Sequence, residues 1–451
     1  MSARAAAALL AVAAAVAYLS VPVLHRSTDT DPQLFTAASW ITRGDASIDE
    51  YPTGQSNEIV VRGHRYSSYP LGLGLISAPA LAPFVIAGGQ LTDIASRAVF
   101  GRLLAVLLAA ASVGCMYLAC ARIARPVAAL AATIGYAFGT GTWAVSSQEL
   151  TQHPAAQLCI AIGLCLLARG GAAAPRAGLA LGLGALTRPL VLIIVAAGAL
   201  AAHRIGGSSA LTRYAAWGLP TAAFLVVYNV IAFGSPVGAL YGSPIPWVFP
   251  PPGLAGLLVS PSRGLFVYSP FLLLAVAGIW RAWRTPPDAA TVLVRETSVA
   301  AIASWVAYAS VAWWWAGWSY GNRYLLDAVP LLTLAIAYAI DRGVLRGRVL
   351  WSVAGAAFAW SALLQFAGAL YAYTYWNGYN WNATPSIDMT PERLWDWTDP
   401  QWWSVLRQLV ADPGGIVIPA VLGLAAAVVI LRPLVVRTRR DCSARAESGG
   451  A

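Results

Sequence analysis

The feature that most constrains this chain is its recurrent apolar runs. A helix needs about 20 apolar residues to cross the hydrocarbon of a bilayer, and there every backbone polar group must be satisfied inside the segment. Runs of this kind occupy 5–24, 98–120, 126–146, 154–168, 177–187, 189–203, 214–234, 265–283, 297–316, 325–341, 349–371 and 414–431. Charged residues make up only 11% of the chain and hydrophobic ones 58%, where a soluble domain carries roughly 25% charged residues. The expected fold is an all-α polytopic membrane protein with about 12 transmembrane helices. The runs 177–187 and 189–203 are short and are separated by Thr187, Arg188 and Pro189, which predicts two half-buried helices meeting at Arg188. Residues 1–24 have a signal-like look, but the run is long and many spans follow, so they read as an uncleaved first helix.

The net charge is +10, and all 29 basic side chains are arginine, as a GC-rich genome would write them. With the N-terminus placed in the cytoplasm, most arginines fall on the inner side and most acids on the outer, which also places the C-terminus inside. The basic balance is therefore loop bias. No basic stripe with interleaved aromatics suggests nucleic-acid binding. The long outer loops are 25–97, 235–264 and 372–413, within a single transmembrane domain over 1–431, and a basic cytoplasmic tail, 432–451, is expected to be disordered. In the first loop, residues 54–70 read as a β-hairpin turning at "RGH". Residues 69–89, broken by Pro70, Pro79 and Pro83, read as an interfacial or re-entrant segment. The five cysteines, Cys115, Cys120, Cys159, Cys165 and Cys442, have neither zinc-type nor disulfide-framework spacing.

Chemistry-bearing residues gather in the outer segments. Asp29 and Asp31 follow the first span and precede "QLFTAASWITRG", an amphipathic stretch suited to a membrane surface. Asp31 has the position of an N-cap with Pro32 at the first helical residue. A carboxylate at this boundary is otherwise a general base for an acceptor hydroxyl. Arg188, Arg263 and Arg323 face the same side. Guanidinium groups suit a phosphate at a membrane surface, although each also reads as an interfacial snorkelling arginine, and Arg323 stands four residues from Asp327 as a candidate ion pair. "WWWAGWSY" and "YAYTYWNGYNWNATP" place Tyr320, Trp376 and Trp381 outside, where flat aromatic faces beside amides suit sugar rings and equally suit an aromatic belt. Glu149 and His153 lie four apart in "SSQELTQHPAAQ", one helical turn, which suits either a shared acceptor site or simply a polar helix end. No Walker A or Rossmann fingerprint is present, so an enzyme built this way takes an activated substrate from the membrane.

The outer acid after the first span, "YPLGLGLISAP", "LALGLGALTRPLVLI", "SPSRGLFVYSPFLLLA" and "WWWAGWSYGNRYLLDAVPLL" together resemble the polytopic glycosyltransferases of the GT-C superfamily. Within it they are most similar to bacterial relatives of the protein O-mannosyltransferases and the lipid A aminoarabinose transferases. The resemblance covers about residues 1–345 and rests on the order of loose motifs; the region after about 372 has no counterpart. It implies inverting transfer of a sugar from a polyprenyl-phosphate donor to a hydroxyl on an envelope glycan, lipid or protein, at the outer face of the plasma membrane. It carries the family's first-loop acid onto Asp31, or second onto Asp29, and a phosphate-facing arginine onto Arg323. The string "DTDPQLF" departs from the family's Asp-Glu, or Glu with an aromatic shortly after, since Phe35 is the nearest aromatic. No cofactor is expected from the residues themselves; some relatives use a divalent cation, for which Asp29 and Asp31 would be the ligands. The rival reading is a flippase or transporter of lipid-linked sugars, a class that usually shows two related halves and a midplane site.

Overall fold

The computed structural model describes residues 1–24, 29–52, 57–236, 246–372, 378–411 and 414–448, the last eleven without their side chains. The chain is mostly helical with almost no sheet. Among the described residues five helical segments are long and apolar enough to cross a membrane: Ile94–Ile123, Pro189–Phe233, Ala289–Ala309, Gly347–Tyr371 and Val417–Arg437. Four shorter apolar helices, Ala3–Leu19, Gly72–Ile86, Pro126–Phe138 and Val329–Asp341, join them.

The helices bury polar groups and present apolar ones outward, the reverse of a soluble bundle. In Leu192–Phe233, Asn229 is buried while Ile231 is 73% exposed. In Ala289–Ala309, Glu296, Thr297 and Ser298 are buried while Ile302 is exposed. Contiguous apolar surface of this kind is tolerated only against lipid or another apolar partner. Between helices, small residues permit close approach, as in other membrane bundles. Ala6, Ala7, Ala13, Ala14 and Ala17 of the first helix belong to the core it shares with Ile94–Ile123. Gly278 in Leu273–Arg284 lies so close to Val329–Asp341 that a Cβ there would stand 2.0 Å from the Ala335 carbonyl oxygen.

Several runs that read as single spans are interrupted. The run at 126–146 ends as a helix at Phe138, then makes a π-helical turn over Thr142–Ser146. The run at 265–283 breaks at Ser269-Pro270 into Leu265–Tyr268, a 3-10 turn and Leu273–Arg284, because proline has no N–H to continue the ladder. The runs at 189–203 and 214–234 are two helical stretches that meet at a kink at Gly207, whose φ of 72° glycine tolerates at no steric cost. The break at Arg188 does occur: Ala177–Thr187 ends there, Arg188 is extended, and Pro189 starts a 3-10 turn into the next helix. The last helix runs Val417–Ser448, across most of the segment expected to be a disordered tail.

One end of the bundle carries the long connections. Helix Thr30–Thr42, the hairpin Glu58–Val61/His64–Ser67 and helix Gly72–Ile86 pack around Leu34, Phe35, Ile48, Leu73 and Leu81. The hairpin turns on Arg62 and Gly63, both at positive φ. Thr30–Thr42 does not lie on a surface as its amphipathic look suggests. Residues 30–39 are all buried, covered in part by Gly72–Ile86, which packs along it.

Candidate functional site

The connection 29–69 delivers a carboxylate to the loop-rich end. Asp29, at the N-cap position of Thr30–Thr42, does not cap its own helix. Its Oδ1 accepts from the Tyr69 hydroxyl at 2.6 Å and the Asn57 amide at 3.3 Å. Its Oδ2 accepts from Arg323 Nη2 at 2.7 Å. Asp31 is therefore not the N-cap, since the helix begins one residue before it. Its side chain is 1% exposed and pairs with Arg97 at 3.1 Å, a guanidinium that also donates to the carbonyls of Leu91 and Thr92. Buried charges survive only when paired, and this pair ties the first loop to helix Ile94–Ile123.

Arg323 faces two ways. Its Nη2 holds Asp29, and its Nε donates to His153 Nε2 at 3.2 Å. The expected i,i+4 pairing with Asp327 is not made. Asp327 belongs to Arg188, whose Nε donates to its Oδ2 at 2.6 Å. The Tyr308 hydroxyl donates to the same Oδ2 at 2.9 Å and is also reached by Arg188 Nη2. Arg188 Nη1 meets His153 Nε2 at 3.1 Å. The result is a continuous polar chain, Tyr69–Asp29–Arg323–His153–Arg188–Asp327–Tyr308, drawn from six separate parts of the sequence.

This chain backs a cavity of about 330 Å³. Arg188, Arg323, Tyr69 and Gln152 give it a polar wall. Pro189, Leu190, Pro246, Val311 and the rings of Trp247, Trp313, Tyr308 and Tyr324 give the rest. Trp247 and Trp313 are half-exposed, and an isolated bridge between Trp247 and Val311 ties that rim together. A wall bearing two guanidinium groups beside flat aromatic faces is suited to a phosphorylated sugar.

The remaining candidates lie elsewhere. Arg263 is 1% exposed and does not line the cavity. It donates to the carbonyls of Trp315 and Ser262 and to the side chains of Gln401 and Asn382, and its guanidinium lies 5.6 Å from the Trp381 ring centroid. Its observed partners knit the 378–411 connections to the bundle rather than display it to a phosphate. Trp381 is buried and donates to the Asp399 carbonyl, with Arg393 packed over it. Tyr320 is buried against Tyr268 and donates to the Leu364 carbonyl. Neither lines the cavity. Glu149 is buried in the connection before helix Gln152–Arg169, so its spacing from His153 is not a helical turn. His153 engages the two arginines rather than standing on the cavity wall. Trp376 lies outside the described residues.

Asp29 pairs with Arg323 and Asp31 with Arg97. Among the described residues no group of three or more His, Cys, Asp or Glu side chains is placed to hold a metal ion. Tyr69, Tyr308, Trp247, Trp313 and Tyr324 are site residues the sequence did not single out, and Asp327 was named only as a partner for Arg323. The signal for Asp327 was its spacing of four from Arg323, which pointed to the wrong arginine; the tyrosines sit in ordinary aromatic-rich segments and carried none. Neither family models nor curated proteins match the chain. The site's geometry and the sequence resemblance therefore carry the functional reading.

Proposed function

We propose that this chain is a membrane glycosyltransferase of GT-C type, with about 12 membrane crossings, both termini in the cytoplasm and the loop-rich end facing outward from the plasma membrane. It takes a sugar from a polyprenyl-phosphate donor and transfers it, with inversion, to a hydroxyl on an envelope glycan, lipid or protein. The observation that carries this reading is the meeting of Asp29 with Arg323, and through His153 with Arg188, behind one cavity.

In this reading the donor phosphate lies on the wall formed by Arg188 and Arg323, and its lipid tail follows the apolar helix faces. The acceptor oxygen attacks the anomeric carbon. The bond from that carbon to the phosphate oxygen breaks, and the phosphate leaves with the electron pair. Asp29 takes the hydroxyl proton as the new bond forms, and the guanidinium groups stabilise the charge gathering on the phosphate. Asp29 does not itself line the cavity but pairs with the lining residue Arg323 and keeps its side chain 15% exposed, whereas Asp31 is sealed against Arg97, so Asp29 is preferred as base. No step is assigned to a metal ion.

The test is reconstitution of the full chain in vesicles with labelled undecaprenyl-phosphate sugars and an extract of envelope acceptors. Transfer of label into a glycosidic product, lost in Asp29→Asn, supports the proposal. Movement of the lipid across the bilayer without bond formation would replace it with a flippase.

A further inference from the structure

Two guanidinium groups on one cavity wall repel each other, and their spacing has to be imposed. Arg188 arrives from the break between two helices and Arg323 from a turn far along the chain. Both reach one atom, His153 Nε2, at 3.1 Å from Arg188 Nη1 and 3.2 Å from Arg323 Nε. A guanidinium only donates, so Nε2 meets both with its lone pair. The imidazole is then the neutral tautomer with its proton on Nδ1, which stands 3.9 Å from Asp327 Oδ1. The ring is fully buried at the start of Gln152–Arg169, with Pro154 following it in the first turn. The far sides of the two arginines are held by Asp29 and Asp327.

We propose that His153 is a positioning residue: its Nε2 lone pair sets the spacing and orientation of Arg188 and Arg323, so that the two act together on one phosphate group at the cavity wall. The proposal rests on the donor reading above for the identity of the phosphate. It assigns His153 neither proton transfer nor contact with the acceptor, because the ring is fully buried and its Nε2 lone pair is taken up by the two guanidinium groups. Each arginine gains a neutral acceptor that adds no competing charge, and displacement of one is felt by the other through the shared atom.

The full chain in nanodiscs supplies two readouts. The first needs no ligand. In ¹⁵N-histidine NMR, the signal that disappears in His153→Gln should show a protonated Nδ1 and an unprotonated Nε2. The second is binding of undecaprenyl monophosphate, followed by tryptophan fluorescence. His153→Leu should weaken binding about tenfold or more, the loss expected for hydrogen bonds to charged groups. His153→Gln, whose amide oxygen can accept from both arginines, should stay within about threefold of wild type. Arg323→Gln should cost less in the His153→Leu background than in wild type. A protonated Nε2, wild-type binding by His153→Leu, or equal loss in His153→Gln and His153→Leu would overturn the proposal. Should His153→Leu fail to fold, the tautomer decides. If the tautomer is as stated but wild type binds no lipid phosphate, the positioning role stands and the donor reading falls.

Discussion

Arg323 Nη2 donates to Asp29 Oδ2 at 2.7 Å across 294 positions of sequence, while Asp31, two residues from Asp29, pairs with Arg97 instead. Neighbouring carboxylates thus have separate fates. One stands behind a cavity wall, and the other is sealed inside the protein.

That separation predicts opposite phenotypes. Asp29→Asn should lower kcat about 10²–10⁴-fold, the usual range for a lost general base, with little change in thermal stability. Asp31→Asn should leave Arg97 buried without its counter-charge and cost about 3–5 kcal/mol of stability. Turnover and thermal unfolding in detergent, measured on both variants, check this. Loss of turnover in a stably folded Asp31→Asn protein would return the base assignment to that residue.

Arg263 should behave as a fold residue. Removing it in Arg263→Leu takes the guanidinium donor from the buried Asn382 and Gln401 side-chain oxygens, of which Gln401 keeps the Gly321 N–H, and unties the 378–411 connections, for an expected loss of roughly 2–4 kcal/mol. The folded fraction, isolated by size exclusion, should retain its affinity for undecaprenyl phosphate. A folded variant that has lost that affinity would place Arg263 at the phosphate.

Helix packing offers a test independent of function. Gly278→Ala would place a methyl group 2.0 Å from the Ala335 carbonyl oxygen, and overpacking of this kind costs typically about 1–3 kcal/mol. Gly355→Ala, in helix Gly347–Tyr371 with no atom within 4 Å of the new carbon, should be neutral or stabilise by up to about 1 kcal/mol. The melting temperature of Gly278→Ala should therefore fall below wild type and that of Gly355→Ala should not.

How much of this was legible depended on whether the determinant was local. The hairpin turn at Arg62-Gly63 and the break at Arg188-Pro189 follow from backbone preferences of residues adjacent in sequence, and both could be read. The partners of Arg188 and Arg323 could not. The sequence offered Asp327 to Arg323 at helical spacing, but residues 324–327 form a 3-10 turn, and packing of a distant helix end brings Arg188 to that carboxylate instead. The burial of Thr30–Thr42 was hidden for a similar reason. Its pattern is amphipathic, and only the helix Gly72–Ile86 folding over it decides that both faces are covered.

A pH-dependent contribution to stability is expected at the opposite end from the cavity. Asp288 caps Ala289–Ala309 by accepting from the Thr291 N–H at 2.7 Å and pairs with Arg342 at 2.8 Å. Partial burial alone would raise its pKa, but the Thr291 hydrogen bonds and the Arg342 guanidinium outweigh it and hold the carboxyl at about 2, below an ordinary value of 3.8. A depressed carboxylate stabilises the fold above its unfolded pKa and loses that contribution as pH falls through the folded value. The melting temperature of Asp288→Asn should therefore lie below wild type at pH 5 and above, with the gap closing between about pH 4 and pH 2. A gap that does not change over this range would show that the charge contributes nothing.

The separation of Asp29 from Arg323 in sequence also sets an order of events at the ribosome. At a synthesis rate of roughly 5–20 residues per second, the acid would wait on the order of 15–60 s before its guanidinium partner is made. During that interval the early helices stand without the partner that completes the polar chain behind the cavity. On the transferase reading proposed above, turnover needs the late segments to return to the first connection, so a chain arrested before Arg323 is expected to be inactive.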